Sequence, residues 1–180
     1  MSHSHPTFHH IRPMCAADLR AVMTIQAACY PQEYLEPPAS FANKLINGST
    51  CWVAEAEGQV AAYLVALPTH ETALPALHAD DWQPPAHPTL LYLHDMAVGP
   101  ALRGMGVAHS LLDAARRAAR QRGLAELALV AVQGSVPFWA RHGFVVDPAP
   151  AAWVRAKLTT FGGDARYMTQ PLILEAHQVP

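Results

Sequence analysis

The sequence predicts one α+β domain: a mixed, mostly antiparallel sheet flanked by helices, with a parallel pair near its middle. Two observations carry that expectation. "CWVAEAEGQVAAYLVAL" is a pair of apolar runs around Glu57-Gly58-Gln59, the pattern of an antiparallel hairpin spanning about Cys51 to Leu67. Farther on, Thr89 to Val98 reads as a strand that passes through a turn at Gly99 to Gly106 into a helix ending near Arg122. Leu124 to Val132 is then a continuous apolar run, suited to a strand buried on both faces. Strand, helix and parallel strand in this order make a right-handed crossover.

Before the hairpin, Phe8 to Arg12 reads as a short strand, and Asp18 to Ala28 has helical spacing through Leu19, Val22, Ile25 and Gln26. Pro31, Pro37 and Pro38 forbid a continuous helix through "YPQEYLEPP"; Ala39 to Ile46 resumes a short one that Asn47-Gly48 ends. Pro68 to Pro88 lacks usable periodicity and is the expected long loop, a kind of segment that tends to be functional or mobile. The crossover helix places Val107, Leu111, Leu112, Ala115 and Ala118 on one face, with Asp113, Arg116, Arg117 and Arg120 elsewhere. Val136 to His142 reads as a short helix stopped by Gly143, and Phe144 to Asp147 and Arg166 to Leu174 read as two further strands.

At 180 residues the chain is expected to form a single domain over residues 8–175, between a His-rich N-terminal segment (1–7) and a tail (176–180). The longest strongly apolar stretch, Val60 to Leu67, is far shorter than a membrane span, so no membrane partner is expected. "MSHSHPTFHH" has no basic segment followed by an apolar one, which makes a cytoplasmic location the default. Cys15, Cys29 and Cys51 are odd in number and form no CxxC, which suits free buried thiols better than disulfides. A formal net charge of -2 gives no electrostatic reason to bind nucleic acid. His3, His5, His9 and His10 lack a Cys or carboxylate at ligand spacing, so no metal is expected there.

"RGMGVA", Arg103 to Ala108, sits where a strand ends and a helix begins. Small residues there let backbone N–H groups face outward, and the helix N-terminus adds partial positive charge; the result is a phosphate cradle. The dinucleotide fingerprint GxGxxG fails because position 109 is His, and the P-loop fails because no Gly-Lys-Ser/Thr follows. A tight turn with no ligand is the alternative reading of Gly104 and Gly106. On the preceding strand, residues two apart share a face, so Tyr92, His94 and Met96 are expected to point one way and Leu93, Asp95 and Ala97 the other. That would keep His94 and Asp95 from forming a side-by-side dyad.

The turn resembles the Arg/Gln-x-x-Gly-x-Gly/Ala signature of the GCN5-related N-acetyltransferases, with Arg103, Gly106 and Ala108 on the matching positions. "LHDMAV" looks like that family's fourth strand, Leu124 to Val132 its fifth, and "PFWARHGF" resembles its Phe-Tyr-x-x-x-Gly-Phe segment. The specific part runs from Leu90 to Phe144, and the order of elements agrees over nearly the whole chain. The resemblance implies acetyl-coenzyme A as cosubstrate, its pyrophosphate held by backbone N–H groups of Arg103, Gly104, Met105, Gly106, Val107 and Ala108. It implies a pantetheine arm in the gap between the fourth and fifth strands, along Met96, Ala97 and Val98, with Gln133, Phe138 and Trp139 beside it.

"YLHDMAV" with "SVPFWARHGF" looks most like the arylalkylamine N-acetyltransferases, which carry His-x-His in this strand. His94 falls on the second histidine and Tyr92 replaces the first, which makes His94 the general-base candidate; the other reading is a partly buried histidine that hydrogen-bonds for structure. The tyrosine that commonly protonates the departing thiolate falls at Trp139, whose indole N–H is no usable acid, so Tyr167 or Tyr92 is the candidate phenol. For the acceptor, the sequence offers Tyr30, Glu33, Tyr34 and Glu36, with Trp82 in the long loop, the other reading being ordinary loop packing; Asp95 is either a group for a cationic amine or a structural residue that orients a neighbour or caps a loop. The reading that results is an acetyl-coenzyme A-dependent N-acetyltransferase, an acyltransferase working by direct transfer in a ternary complex, with a small primary amine as acceptor. A protein or peptide acceptor and a coenzyme A-binding module without turnover are the alternatives. A homodimer stays open, since nothing in the sequence marks an interface.

Overall fold

Strands that are apolar on both faces require cover on both sides, and the computed structural model, which describes residues 9–48 and 50–173, supplies it. The strands are β1 (His9–Pro13), β2 (Thr50–Ala56), β3 (Gln59–Thr69), β4 (Leu90–Val98), β5 (Glu126–Ala131), β6 (Val145–Val146) and β7 (Arg166–Pro171). They form one mixed sheet in the order β1-β2-β3-β4-β5-β7-β6, in which β4 and β5 are the parallel pair. The helices are α1 (Leu19–Cys29), α2 (Pro38–Gly48), α3 (Val107–Gln121), α4 (Val136–Arg141) and α5 (Ala152–Leu158).

The covering helices divide the core. On one face, Val107, Leu111, Leu112, Ala115 and Ala119 of α3 pack on Ala54, Leu64, Leu91, Leu127 and Leu129 of the sheet. On the other, Val22 and Ile25 of α1 and Phe41 of α2 pack on Val53, Tyr63, Val65 and Leu67. A third cluster joins Val154 of α5 to Leu90, Tyr92, Ala128 and Tyr167. Hydrophobic burial of this kind is worth about 1.5–3 kcal/mol per large apolar side chain.

The sheet, the hairpin and the crossover stand where periodicity places them, with ends shifted by a few residues. The hairpin turn is Glu57-Gly58, both at positive φ (52° and 75°), the backbone of a two-residue type I′ connection. β3 runs on through Pro68 to Thr69, farther than apolarity suggested; β2 begins opposite Ala66, so the missing Pro68 N–H breaks no ladder on that side. In α3 the buried stripe takes in Ala114 and Ala119, while Ala118 is only half-buried. Periodicity also passed over α5, a helix of 7 residues that begins after a Pro-Ala-rich segment and carries a single fully buried side chain, Val154. Of the three thiols Cys51 is buried, Cys29 half-buried and Cys15 exposed, against the expectation that all are buried; none is bonded to another. Phe8, Leu174, His3 and His5 lie outside the described residues. Among those residues no helix is long and apolar enough to cross a membrane.

Gly99 ends β4 where its N–H donates to the Ala61 carbonyl at 2.8 Å, and a Cβ at Gly99 would stand 2.7 Å from that same oxygen. Because the obstacle is backbone, Gly99→Ala is expected to lower stability by about 1–3 kcal/mol, whereas Gly163→Ala, which meets nothing within 4 Å, should leave it unchanged. Urea unfolding of the two variants side by side checks this; equal midpoints would mean the β3 end moves freely.

Candidate active site

The site begins where two paired strands part. β4 and β5 run in register from Leu90↔Glu126 to Leu93↔Leu129 and no farther, although β4 continues to Val98 and β5 to Ala131. Each strand keeps its other neighbour: Ala62↔Val98 still joins β3 to β4, and Ala131↔Arg166 still joins β5 to β7. The break coincides with a bulge, since Val65 pairs with Asp95 and the next residue, Ala66, pairs with Leu93, leaving His94 without a counterpart. A bulge raises local twist and re-aims side chains.

Beyond the bulge, the Gly99-to-Ala61 bond sets the phase of the ladder, so alternate residues Met96 and Val98 turn their backbone groups toward the gap. Three side chains reach those carbonyls: the Tyr30 hydroxyl donates to Met96 at 2.7 Å, and Arg103 Nε and the Cys29 thiol donate to Val98 at 3.3 Å and 3.5 Å. Between the splayed strands lies a cavity of about 580 Å³ that runs from the N-terminus of α3 to the His94 side chain.

At the outer end, Gly104 and Gly106 have φ near +78° and +75°, and a Cβ at either would meet nothing within 4 Å. Glycine is needed there for the left-handed backbone alone. That backbone aims donors outward: among the described residues, the N–H groups of Gly104, Gly106, Val107, Ala108 and His109 have no intramolecular acceptor. Five amides at a helix N-terminus form an anion site. Arg103 and Met105 are the exceptions within the hexapeptide and correct the expectation for both amides: their N–H groups donate to the Pro100 and Leu102 carbonyls at 3.4 Å and 3.3 Å, and the Met105 side chain is exposed.

At the inner end the bulge overturns the expected alternation. Leu91, Leu93 and Met96 pack toward α3, while Asp95 and Ala97 turn to the α1 face, where the Tyr63 hydroxyl donates to Asp95 at 2.7 Å. His94 turns to that side as well, its Nε2 2.6 Å from Glu36 Oε1. The two neighbours therefore lie together, each bonded to a different partner. Burial pushes the Asp95 carboxyl above the usual range, with the Tyr63 hydroxyl and His94 acting against it.

Glu36 is the group that sequence reading undervalued. Its backbone is pinched by the buried side-chain amide of Gln26, which accepts the Glu36 N–H at 2.8 Å and donates to its carbonyl at 3.0 Å. Its carboxylate takes His94 on one oxygen; the other accepts Lys44 Nζ at 3.1 Å, Ser40 Oγ at 2.8 Å and the His78 N–H at 2.8 Å. Lys44 also donates to Ser40 Oγ and to the Ala79 carbonyl. All three side chains are sealed, with exposures of 1% for His94, 2% for Glu36 and 1% for Lys44. Burial would push Glu36 up, but His94, the Lys44 ammonium and the Ser40 hydroxyl together outweigh it and hold the carboxyl below its usual range. His94 Nδ1 is left buried with no partner.

The remaining candidates divide. Tyr30, Tyr34, Asp95, Met96, Ala97, Val98, Arg103, Gly104, Gly106, Val107, Ala108, Gln133, Phe138 and Trp139 all line the cavity with His94 and Glu36. Tyr92 and Tyr167 do not: they lie in the third core cluster, and burial raises both phenols well above the usual range. Glu33 is exposed in a short turn, and Trp82 is buried with its indole N–H donating to the Ala73 carbonyl. Trp139 packs edge-on against Phe138 and Phe144. Leu77 and Phe161, from the long loop and from beyond α5, also line the cavity, and no periodicity marked either.

Comparison with known proteins gives a family and a fold. The model of the acetyltransferase (GNAT) family matches residues 19–144. Among solved structures, the chain is similar to the GphF GNAT-like decarboxylase in complex with isobutyryl-CoA (TM-score 0.72, 21% identity, 91% of this chain and 100% of that one). It is similar also to the PaiA N-acetyltransferase of Thermoplasma acidophilum in complex with coenzyme A (0.64, 16%, 91% and 99%). The ribosomal-protein-S18-alanine N-acetyltransferase of Escherichia coli aligns comparably (0.66, 17%, 96% and 99%). No curated protein matches in sequence.

Breaking a buried ion pair on one side leaves an uncompensated charge, so Glu36→Ala is expected to cost about 3–5 kcal/mol of stability through the stranded Lys44 ammonium. Adding Lys44→Met should restore most of that loss in urea unfolding. Equal stability of Glu36→Ala and the parent would mean that Lys44 reaches water.

Proposed function

The chain belongs to the acetyltransferase (GNAT) family, and we propose that it transfers an acetyl group from acetyl-coenzyme A to a small primary amine within a ternary complex. The observation that carries this reading is one continuous cleft with an amide cradle at one end and, at the other, a buried histidine whose Nδ1 has no partner. The donor set fits acetyl-coenzyme A at each level. Five outward amides with the α3 N-terminus suit a pyrophosphate, the N–H groups of Met96 and Val98 on the unpaired edge of β4 suit the carbonyls of a pantetheine arm, and Gln133, Phe138 and Trp139 line the cavity as well. Bound there, acetyl-coenzyme A supplies an activated acetyl thioester.

The chain's own residues handle position and proton. Amine acetylation forms an N–C bond as the C–S bond breaks, and it requires that the attacking nitrogen lose a proton. A carboxylate only accepts, so the 2.6 Å contact with Glu36 calls for a hydrogen on His94 Nε2, and in the neutral imidazole Nδ1 then keeps the lone pair. That nitrogen takes the amine proton. Trp139 cannot serve as the acid, and the phenols of Tyr92 and Tyr167 stand outside the cleft. Coenzyme thiolate is a stable leaving group and the reading assigns it no dedicated acid. Tyr30, Tyr34, Leu77 and Phe161 surround the acceptor end with Asp95 among them, a setting suited to an aromatic or aliphatic amine in the manner of the arylalkylamine acetyltransferases. The acceptor contacts include neither Glu33 nor Trp82.

Calorimetric titration with acetyl-coenzyme A is expected to show micromolar binding, about -8 kcal/mol. Gly106→Glu should abolish it, since the side chain brings strain at positive φ, bulk and like charge into the cradle. Absence of binding to the parent protein would sink the acetyltransferase reading. In a screen of amines and peptides, His94→Ala is expected to lower kcat by about 10²–10⁴-fold while leaving coenzyme affinity near that of the parent. Turnover unchanged between about pH 6 and 9 would remove His94 from the chemistry.

A further inference from the structure

We propose that Glu36 and Lys44 are positioning residues that hold His94 as a neutral imidazole protonated on Nε2, so that Nδ1 faces the acceptor as the base. The inference rests on the acetyltransferase reading for its catalytic consequence, but its structural core does not. Three observations carry it. Glu36 Oε1 lies 2.6 Å from His94 Nε2, which selects the tautomer. Lys44 Nζ lies 3.1 Å from the other oxygen of the same carboxylate, so the Glu36 charge is already balanced without a proton on Nδ1. His94 Nδ1 is buried and unpartnered although the opposite ring nitrogen is firmly held. A buried polar atom is left bare rarely, and a site that waits for a ligand is one reason.

Other groups around the imidazole act in known directions. From β4, Asp95 stands beside it with its carboxyl raised by burial and bonded to Tyr63 of β3, and the Tyr92 ring lies 5.9 Å from the His94 ring. At the end of α1, the Tyr30 hydroxyl hydrogen goes to the Met96 carbonyl. From the long loop, His78 contributes its backbone N–H to Glu36 and keeps its own ring exposed. Of these only Glu36 touches the imidazole nitrogen, and only Lys44 carries a positive charge against that carboxylate.

The roles of the two residues predict opposite effects. A carboxylate favours the protonated imidazole and the ammonium disfavours it, so the acid limb of kcat/KM should move to lower pH in Glu36→Gln and to higher pH in Lys44→Met. Glu36→Gln should also lose kcat on the order of 100-fold, the low end of what a positioned base contributes, with KM for acetyl-coenzyme A unchanged. The double variant removes both charges and avoids a stranded ion; its acid limb should return toward that of the parent.

Nitrogen-15 NMR of the ligand-free protein reads the structural part directly. His94 should show the Nε2–H tautomer in the parent and in Lys44→Met, and a mixture of tautomers in Glu36→Gln. An Nδ1–H tautomer in the parent, or acid limbs unmoved in both single variants, overturns the proposal. If the parent acetylates no amine, the functional reading fails by itself, and the NMR result still decides whether Glu36 orients His94.

Discussion

The structure depends on the loss of pairing between β4 and β5 after Leu93 and Leu129. Both strands stay tied to other partners, β4 to β3 and β5 to β7, so their backbones cannot close the gap without breaking ladders that are already made. The bulge at His94 falls at the same level and adds the local twist that carries β4 away. From this one constraint follow a cavity in the middle of a sheet, a β4 edge with unpaired amides, and an aspartate, Asp95, turned out of its expected alternation to the side of His94. An open edge is ordinarily a liability. Inside a cleft it becomes a place for a ligand to pair.

The two ends of the cleft are held by different physics. The outer end is a backbone device, in which two glycines at positive φ bend the chain and the first turn of α3 presents its amides. Its rigidity comes from α3, whose buried stripe of Val107, Leu111, Leu112, Ala115 and Ala119 packs on the sheet directly behind the turn. His9 of β1 adds a bond to Ser110 Oγ at 2.9 Å. The inner end is a side-chain device, in which one carboxylate collects an imidazole, an ammonium, a hydroxyl and an amide N–H.

That second device costs free energy. Arg12, Asp18 and Glu55 form a partly exposed ion cluster that clasps β1, β2 and the turn before α1, at modest desolvation cost. Glu36 and Lys44 are sealed to within 2% of full burial, where an ion pair seldom stabilises a fold more than apolar packing would. The cluster is better understood through what it does to His94 than through what it adds to folding. Gln26, on α1, serves the same end by fixing the backbone from which the carboxylate projects.

Sequence by itself determined the fold class, the hairpin, the crossover and the cradle. Each is a local matter: period-2 and period-3.6 apolarity, a Glu-Gly turn, and glycines spaced for a strand that becomes a helix. It determined His94 as a candidate too, because of its place one strand before the cradle. Only the tertiary structure decided what His94 touches. A bulge is set by the register of β3 against β4 and leaves no local mark, so strict alternation put His94 and Asp95 on opposite faces. Glu36, Lys44 and His94 are brought together from a proline-rich loop, a short helix and a strand, with Glu36 and His94 58 positions apart in the chain. Tyr92 and Tyr167 failed as cleft residues for a related reason: although the Tyr92 ring lies 5.9 Å from that of His94, both phenols pack with Val154 of α5 in the third core cluster, a placement no local pattern marks. Burial and partner choice are properties of the assembled layers, and in this chain those properties made a carboxylate beside two prolines the neighbour of the proposed base.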